Sequence, residues 1–153
     1  MNAAALIFVS LVCISAGDEP KAVDLADQKA MIVIKPGETK EVILCWKNVP
    51  GGRAPDIALN DKSELNREER NRMITVMKYE SHGVTATLDF KRAGEIATRL
   101  LEHDHDYWMV AAIKVEAGPQ AKPGVVNFYV HYAAGTGRFV YRRGAICVLV
   151  EKL

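Results

Sequence analysis

The chain of 153 residues has almost no net charge: 20 Lys and Arg stand against 19 Asp and Glu, a formal +1. A protein held to phosphates needs a basic surplus, so no nucleic-acid partner is expected. Serine is scarce after the first 17 residues, where only Ser63 and Ser81 occur, and neither lies in a G-x-S-x-G turn. C-x-x-C, C-x-x-C-H and H-E-x-x-H are all absent. Zinc ribbons, c-type haem attachment and zincin-type hydrolysis therefore have no motif to rest on. The paired carboxylates Glu68 and Glu69 sit in a charged stretch with no cleft in view, so no enzyme is expected. Beyond the N-terminus no apolar run is long enough to cross a bilayer, and no membrane span is expected in the mature chain. What is present, 49% hydrophobic and 25% charged residues, is the mixture of one folded domain and excludes disorder.

Residues 1–17 carry no charged side chain, and Ala3 to Ile14 form one apolar run. Ser15-Ala16-Gly17 then gives way to Asp18-Glu19-Pro20. Apolar segment, small residues and an abrupt acidic start form the pattern of a cleaved signal peptide. The expectation is a signal peptide over 1–17 and a single domain over 18–153, secreted or periplasmic. Cleavage removes Cys13 and leaves Cys45 and Cys147, and an oxidising compartment favours their pairing. That disulfide would close most of the chain, worth about 4–5 kcal/mol in the loop-entropy account. Two separate buried thiols, acting as small hydrophobes, are the alternative.

Short β-like runs separated by turn residues dominate the rest. Met31–Lys35 ends at Pro36-Gly37-Glu38-Thr39, and Glu41–Lys47 is continuously apolar between charged ends. Val49-Pro50-Gly51-Gly52 breaks regular structure. Asp61-Lys62-Ser63-Glu64 offers a capping box before a charged segment, which suggests one short helix near 61–70. Strand character returns at Met73–Tyr79, Val84–Phe90, Tyr107–Val115, Val125–Ala133 and Phe139–Val150. Lys91–Glu95 reads as a turn, Ile96–Glu102 is ambiguous, and Arg142-Arg143-Gly144 suggests a bulge or second turn. The fold class is all-β, an antiparallel sandwich of about 7–9 strands.

Two segments carry a resemblance. Ile34-Lys35-Pro36-Gly37-Glu38-Thr39 leading into Glu41-Val42-Ile43-Leu44 resembles the opening strands of bacterial immunoglobulin-like β-sandwich modules. Ala117 through Lys122-Pro123-Gly124, then Phe128 and Val130, is similar to the penultimate hairpin of such modules. The resemblance implies an exported, non-catalytic immunoglobulin-like domain and carries no site. The antibody-type signature is missing, since Trp46 directly follows Cys45 instead of lying on the next strand.

The residues with the most chemical character are Glu102-His103-Asp104-His105-Asp106. In an extended segment His103 and His105 project to one side, a pair able to hold Zn or Cu, with His131 or His82 as a third ligand. A solvated polar loop is the competing reading. Tyr129 and His131 alternate with Phe128, Val130 and Tyr132, so one set enters the core and the other could face a protein or carbohydrate partner. Arg138, Arg142 and Arg143 cluster near the last hairpin and read as a solvated edge or, less well, an anionic-ligand site. Two functions follow: an exported binding or structural module without cofactor, or an exported metal-binding domain.

Overall fold

Alternation of side chains along the strands sets the architecture. The computed structural model describes residues 27–47, 56–103, 108–134 and 140–153. In chain order these form β1 (Asp27–Ile34), β2 (Thr39–Lys47), β3 (Asp56–Asn60), α1 (Arg67–Asn71), β4 (Lys78–Ser81), β5 (Val84–Leu88), α2 (Phe90–His103), β6 (Trp108–Ala117), β7 (Gly124–Ala134) and β8 (Val140–Val150). The strands make two four-stranded sheets, ordered β1-β8-β7-β3 and β2-β6-β5-β4. β1 runs parallel to β8, and the other strand pairs are antiparallel. An all-β sandwich is thus what the strand pattern predicted. No helix among the described residues is long and apolar enough to cross a membrane. Residues 1–17, expected as a signal peptide, lie outside the described residues.

The core lies between the sheets. Val42, Leu44 and Trp46 of β2, with Ile113 and Val115 of β6, meet Ile34, Leu59, Phe128, Val130, Ile146 and Val148 from the facing sheet. The alternate positions of the same β2–β6 pair, Ile43, Cys45, Val110 and Ala112, are also buried, because α2 covers them with Ala93, Ile96, Ala97 and Leu100. That double burial explains the unbroken apolar run over 42–46.

α2 overturns the reading of 91–95 as a turn and of Val84–Phe90 as one strand. The stripe Ala93, Ile96, Ala97, Leu100 has helical spacing. Asp89 ends β5 by capping the helix, its carboxylate accepting from the Arg92 amide at 2.9 Å and its carbonyl from the Ala93 amide at 3.0 Å. Phe90 is consequently 45% exposed rather than inward. The capping box also sits further on than expected, at Asn66 and Glu69. The run 73–79 is not one strand, because the chain changes sheets there. Val76 exchanges hydrogen bonds with Ile57 and Leu59 of β3, both at 3.0 Å, whereas the next carbonyl, that of Met77, accepts from Leu88 of β5 at 2.7 Å.

Arg142-Arg143-Gly144 contains no bulge, since β8 stays in register with β7 throughout. Gly144 has a packing reason instead. It faces inward, and a Cβ there would overlap Leu44 Cδ1 and lie 3.3 Å from Trp46 Cζ2. The indole of Trp46 therefore fills the space that glycine leaves. Its Nε1–H makes no hydrogen bond among the described residues, a penalty of about 1–3 kcal/mol that the fully buried ring must offset.

The expected Cys45–Cys147 disulfide is not formed. Parity is the reason. Cys45 alternates with Leu44 and Trp46 and so points outward beneath α2, while Cys147 alternates with Ile146 and Val148 and points outward from the other sheet. The two thiols face away from each other across the whole sandwich.

Gly144→Val should lower stability by about 1–3 kcal/mol through overpacking against Leu44 and Trp46. Urea midpoints with an unchanged slope would show this; an unaltered midpoint would contradict the contact.

Candidate functional site

The segment 61–72 leaves the end of β3 and folds across the outer face of β7 and β8. We call it the strap. Its first turn is held by Asn60, whose side chain accepts from the Lys62 amide at 2.9 Å. α1 within it is started by a reciprocal cap: Glu69 N–H donates to Asn66 Oδ1 at 2.8 Å, and Asn66 N–H donates to Glu69 Oε2 at 2.9 Å. Of the strap's side chains only Leu65 is buried. Polar contacts do the rest of the docking.

At their centre is His131 of β7. It alternates with Val130 and Tyr132 and so leaves the core, yet it is fully buried because the strap covers it. Its Nε2 lies 2.8 Å from the Lys62 carbonyl and 3.0 Å from Asn60 Oδ1. A carbonyl only accepts, so Nε2 carries the proton and Nδ1 accepts from the Tyr141 hydroxyl. The His131 and Tyr141 rings stack with centroids 5.8 Å apart. Burial pushes the His131 pKa down; the bond to the Lys62 carbonyl opposes this, Arg143 and Arg70 reinforce it, and Glu69 opposes it. The site therefore favours the neutral imidazole.

Around it, the Arg70 guanidinium lies 4.0 Å over the Tyr141 ring and donates from Nε to the Leu65 carbonyl at 2.8 Å. Arg143 donates to the Ser63 carbonyl and approaches Glu64 at 3.6 Å. Arg143 is therefore a strap contact rather than part of a solvated basic edge, and Arg142 turns back onto the Tyr141 carbonyl at 3.2 Å. Arg138 lies outside the described residues.

The other side of the strap forms one wall of an open groove of about 600 Å³. Lys62, Leu65, Glu69 and Arg72 line that wall; Ala58, Val76 and Tyr79 form the floor, and Met73 and Ile74 the far rim. Ile74 is 73% exposed, and Met77 beside it 48%. Lys62 pairs with Glu69 at 2.6 Å and Arg72 with Glu68 at 3.1 Å, so the strap wall is charged while the floor is largely apolar. A concave strip of this kind, at the joint of the two sheet edges β3 and β4, suits an extended ligand.

Among the described residues, the expected metal ligands His103, His82 and His131 lie on three different elements of the fold. His103 is the last residue of α2, not part of an extended run, and α2 packs on the outer face of the β2–β6 sheet. His131 lies beyond the opposite outer face, with both ring nitrogens bonded to protein partners. His82 occupies a left-handed position, φ 52°, in the β4–β5 hairpin and bonds Ser81 Oγ at 2.8 Å. His105 lies outside the described residues. The groove itself was missed from sequence. Its one local signal is Asn66-x-x-Glu69, which marks where the strap turns helical but not what it lies against.

No family model and no curated protein matches the chain. A solved structure of PbICP-C in complex with falcipain-2 superposes with a TM-score of 0.46 at 10% identity, over 86% of this chain and 95% of that one. Similarity at that level assigns a role to no residue.

The thiols give a direct check on the placement of the outer faces. Burial pushes Cys45 up to about 12 and raises Cys147 as well. In the native protein, iodoacetamide at mildly alkaline pH should modify half-buried Cys147 slowly and leave Cys45 intact, with both reacting in denaturant. Native labelling of Cys45 ahead of Cys147 would contradict the cover that α2 provides.

Proposed function

We propose that the protein is an exported, non-catalytic, immunoglobulin-like β-sandwich that binds an extended segment of a partner protein in the groove between the strap and the β3–β4 joint. The observation that carries this reading is the combination of an apolar floor, a charged wall and the exposed Ile74 at the rim. The sheet orders support the immunoglobulin-like part: β3-β7-β8 on one side and β2-β6-β5 on the other follow the C-F-G and B-E-D arrangement. The charge-free apolar run at the N-terminus, followed by small residues, supports export.

A peptide suits the groove better than a carbohydrate. Sugar recognition leans on exposed aromatic faces, and Tyr79 is the one aromatic that lines the groove. Trp46, Phe128 and Tyr132 are core residues, and Tyr141 is stacked in the His131 cluster. Tyr79, the groove's aromatic, packs its ring edge-on against Phe128. Against this floor a peptide can bury alternate apolar side chains while its intervening polar residues meet Lys62, Glu68, Glu69 and Arg72.

Selection from a displayed peptide library should enrich sequences whose binding shifts the amide resonances of Asn60, Lys62, Ile74 and Tyr79. Ile74→Asp should weaken those peptides by about tenfold or more, since losing one well-buried aliphatic contact removes about 1.5–3 kcal/mol. Its fold should survive, because Ile74 is 73% exposed. Enriched peptides that map to another face, or that bind Ile74→Asp equally well, would overturn the reading.

A further inference from the structure

The strap is built unlike the rest of the domain. The sheets are held by a large apolar core, whereas the strap buries Leu65 and is otherwise fastened by hydrogen bonds and charge contacts. Segments with little buried apolar surface open at far lower free energy than the domain unfolds. The centre of the fastening is a histidine, the side chain whose charge changes in the mildly acidic range.

We propose that the strap is a pH-operated latch: uptake of a proton by His131 releases residues 61–72 from the outer face of β7 and β8 and removes one wall of the groove. Its functional meaning rests on the groove reading above; the opening itself does not.

The geometry shows why a proton favours release. In the closed state Nε2–H already serves the Lys62 carbonyl, and Nδ1 receives the Tyr141 hydroxyl proton. A second ring proton on Nδ1 meets that hydroxyl head-on, so Tyr141 must turn its own proton away. The groups facing the ring give the cation little help. β7 contributes Tyr129 at a centroid distance of 6.5 Å, β8 contributes Tyr141 and Arg143, and β3 contributes the neutral Asn60 amide. From the strap come Arg70 and Glu69, with Lys62 and Glu64 bound to Glu69 and Arg143 respectively. Asp61 lies instead against the Tyr79 hydroxyl. Two guanidiniums thus face one carboxylate, and that carboxylate already holds Lys62 and the Asn66 amide. Once the strap lifts, water solvates the imidazolium.

The sign follows from linkage. The closed state holds its histidine below the ordinary 6.5, so the closed strap is fully favoured above that pH. As pH falls below it, the open state binds the proton first, and opening rises by about tenfold per pH unit until the closed-state value is reached.

Hydrogen–deuterium exchange of the whole chain without ligand tests this at about pH 7.5 and about pH 5.5, either side of the ordinary histidine range, with intrinsic rates corrected. Protection of amides in 61–72 should fall, by up to about tenfold, while Val126–Val130 and Ile146–Val148 keep theirs. In His131→Gln, which can still donate to the Lys62 carbonyl, protection should be the same at both pH values. Unchanged protection in the unmutated protein, or a fall that persists in His131→Gln, overturns the latch. Should that variant not fold, the ring-proton shift of His131 replaces it: a midpoint shared with strap exchange supports the latch, and a separate midpoint overturns it. A strap that opens on a groove no peptide enters overturns the binding reading alone. Peptide binding with pH-independent exchange overturns the latch alone.

Discussion

The rest of the structure depends on the burial of β2 and β6 on both faces. Trp46 and Leu44 fill the space between the sheets, while Ile43, Cys45, Val110 and Ala112 present an equally apolar surface outward. A bare face of that composition would be an aggregation hazard, so the chain must supply a cover, and α2 is that cover. With the helix committed to one side, the outer face of β8, β7 and β3 is left to be managed by other means. There the sequence turns polar, with Asn60, Tyr129, His131, Tyr141 and Arg143 at the outward positions, and the cover is a charged strap rather than a helix. The two outer faces are therefore protected by different forces. One is sealed by apolar area and shares the stability of the core. The other is fastened by directional bonds and can respond to protonation.

The same contrast explains what could be read from the sequence. Period-two alternation over 84–88 and 128–132 was legible because each of those strands has a definite inside and outside. α2 was obscured because its apolar stripe begins directly after a strand of the same polarity, with only Asp89 to mark the boundary. Gly144 looked like a break, since a glycine beside two arginines resembles a turn; its role becomes visible only when Trp46 is placed against it from the other sheet. The cysteine pairing failed for a related reason. Each thiol lies on a β-like run, but whether two runs face each other is a property of sheet assignment, which no local pattern contains.

The candidate site was less legible than the fold. The sequence pattern attached coordination chemistry to the histidines, and the fold places His131 as a hydrogen-bonding hub. What hides this is sequence distance. Its partners come from residues 60–62 and 141, brought together by the β3–β7 and β7–β8 pairings. A strand read alone shows an aromatic-flanked histidine at an outward position, which is equally the pattern of an exposed binding surface.

A buried histidine under a polar strap calls for a physical reason, because an apolar side chain there would hold the strap more cheaply. Desolvating an imidazole and ordering three polar partners around it gives less stability than burying a leucine or phenylalanine there. What the polar arrangement adds is discrimination between two states of the same segment. Apolar packing would close the strap equally at every pH above the unfolding of the domain. A neutral imidazole donating to Lys62 and accepting from Tyr141, with Arg70 and Arg143 close by, closes it only while the ring holds a single proton. Since the strap is one wall of the groove, the protonation of a residue outside the groove then determines whether the groove has both its walls.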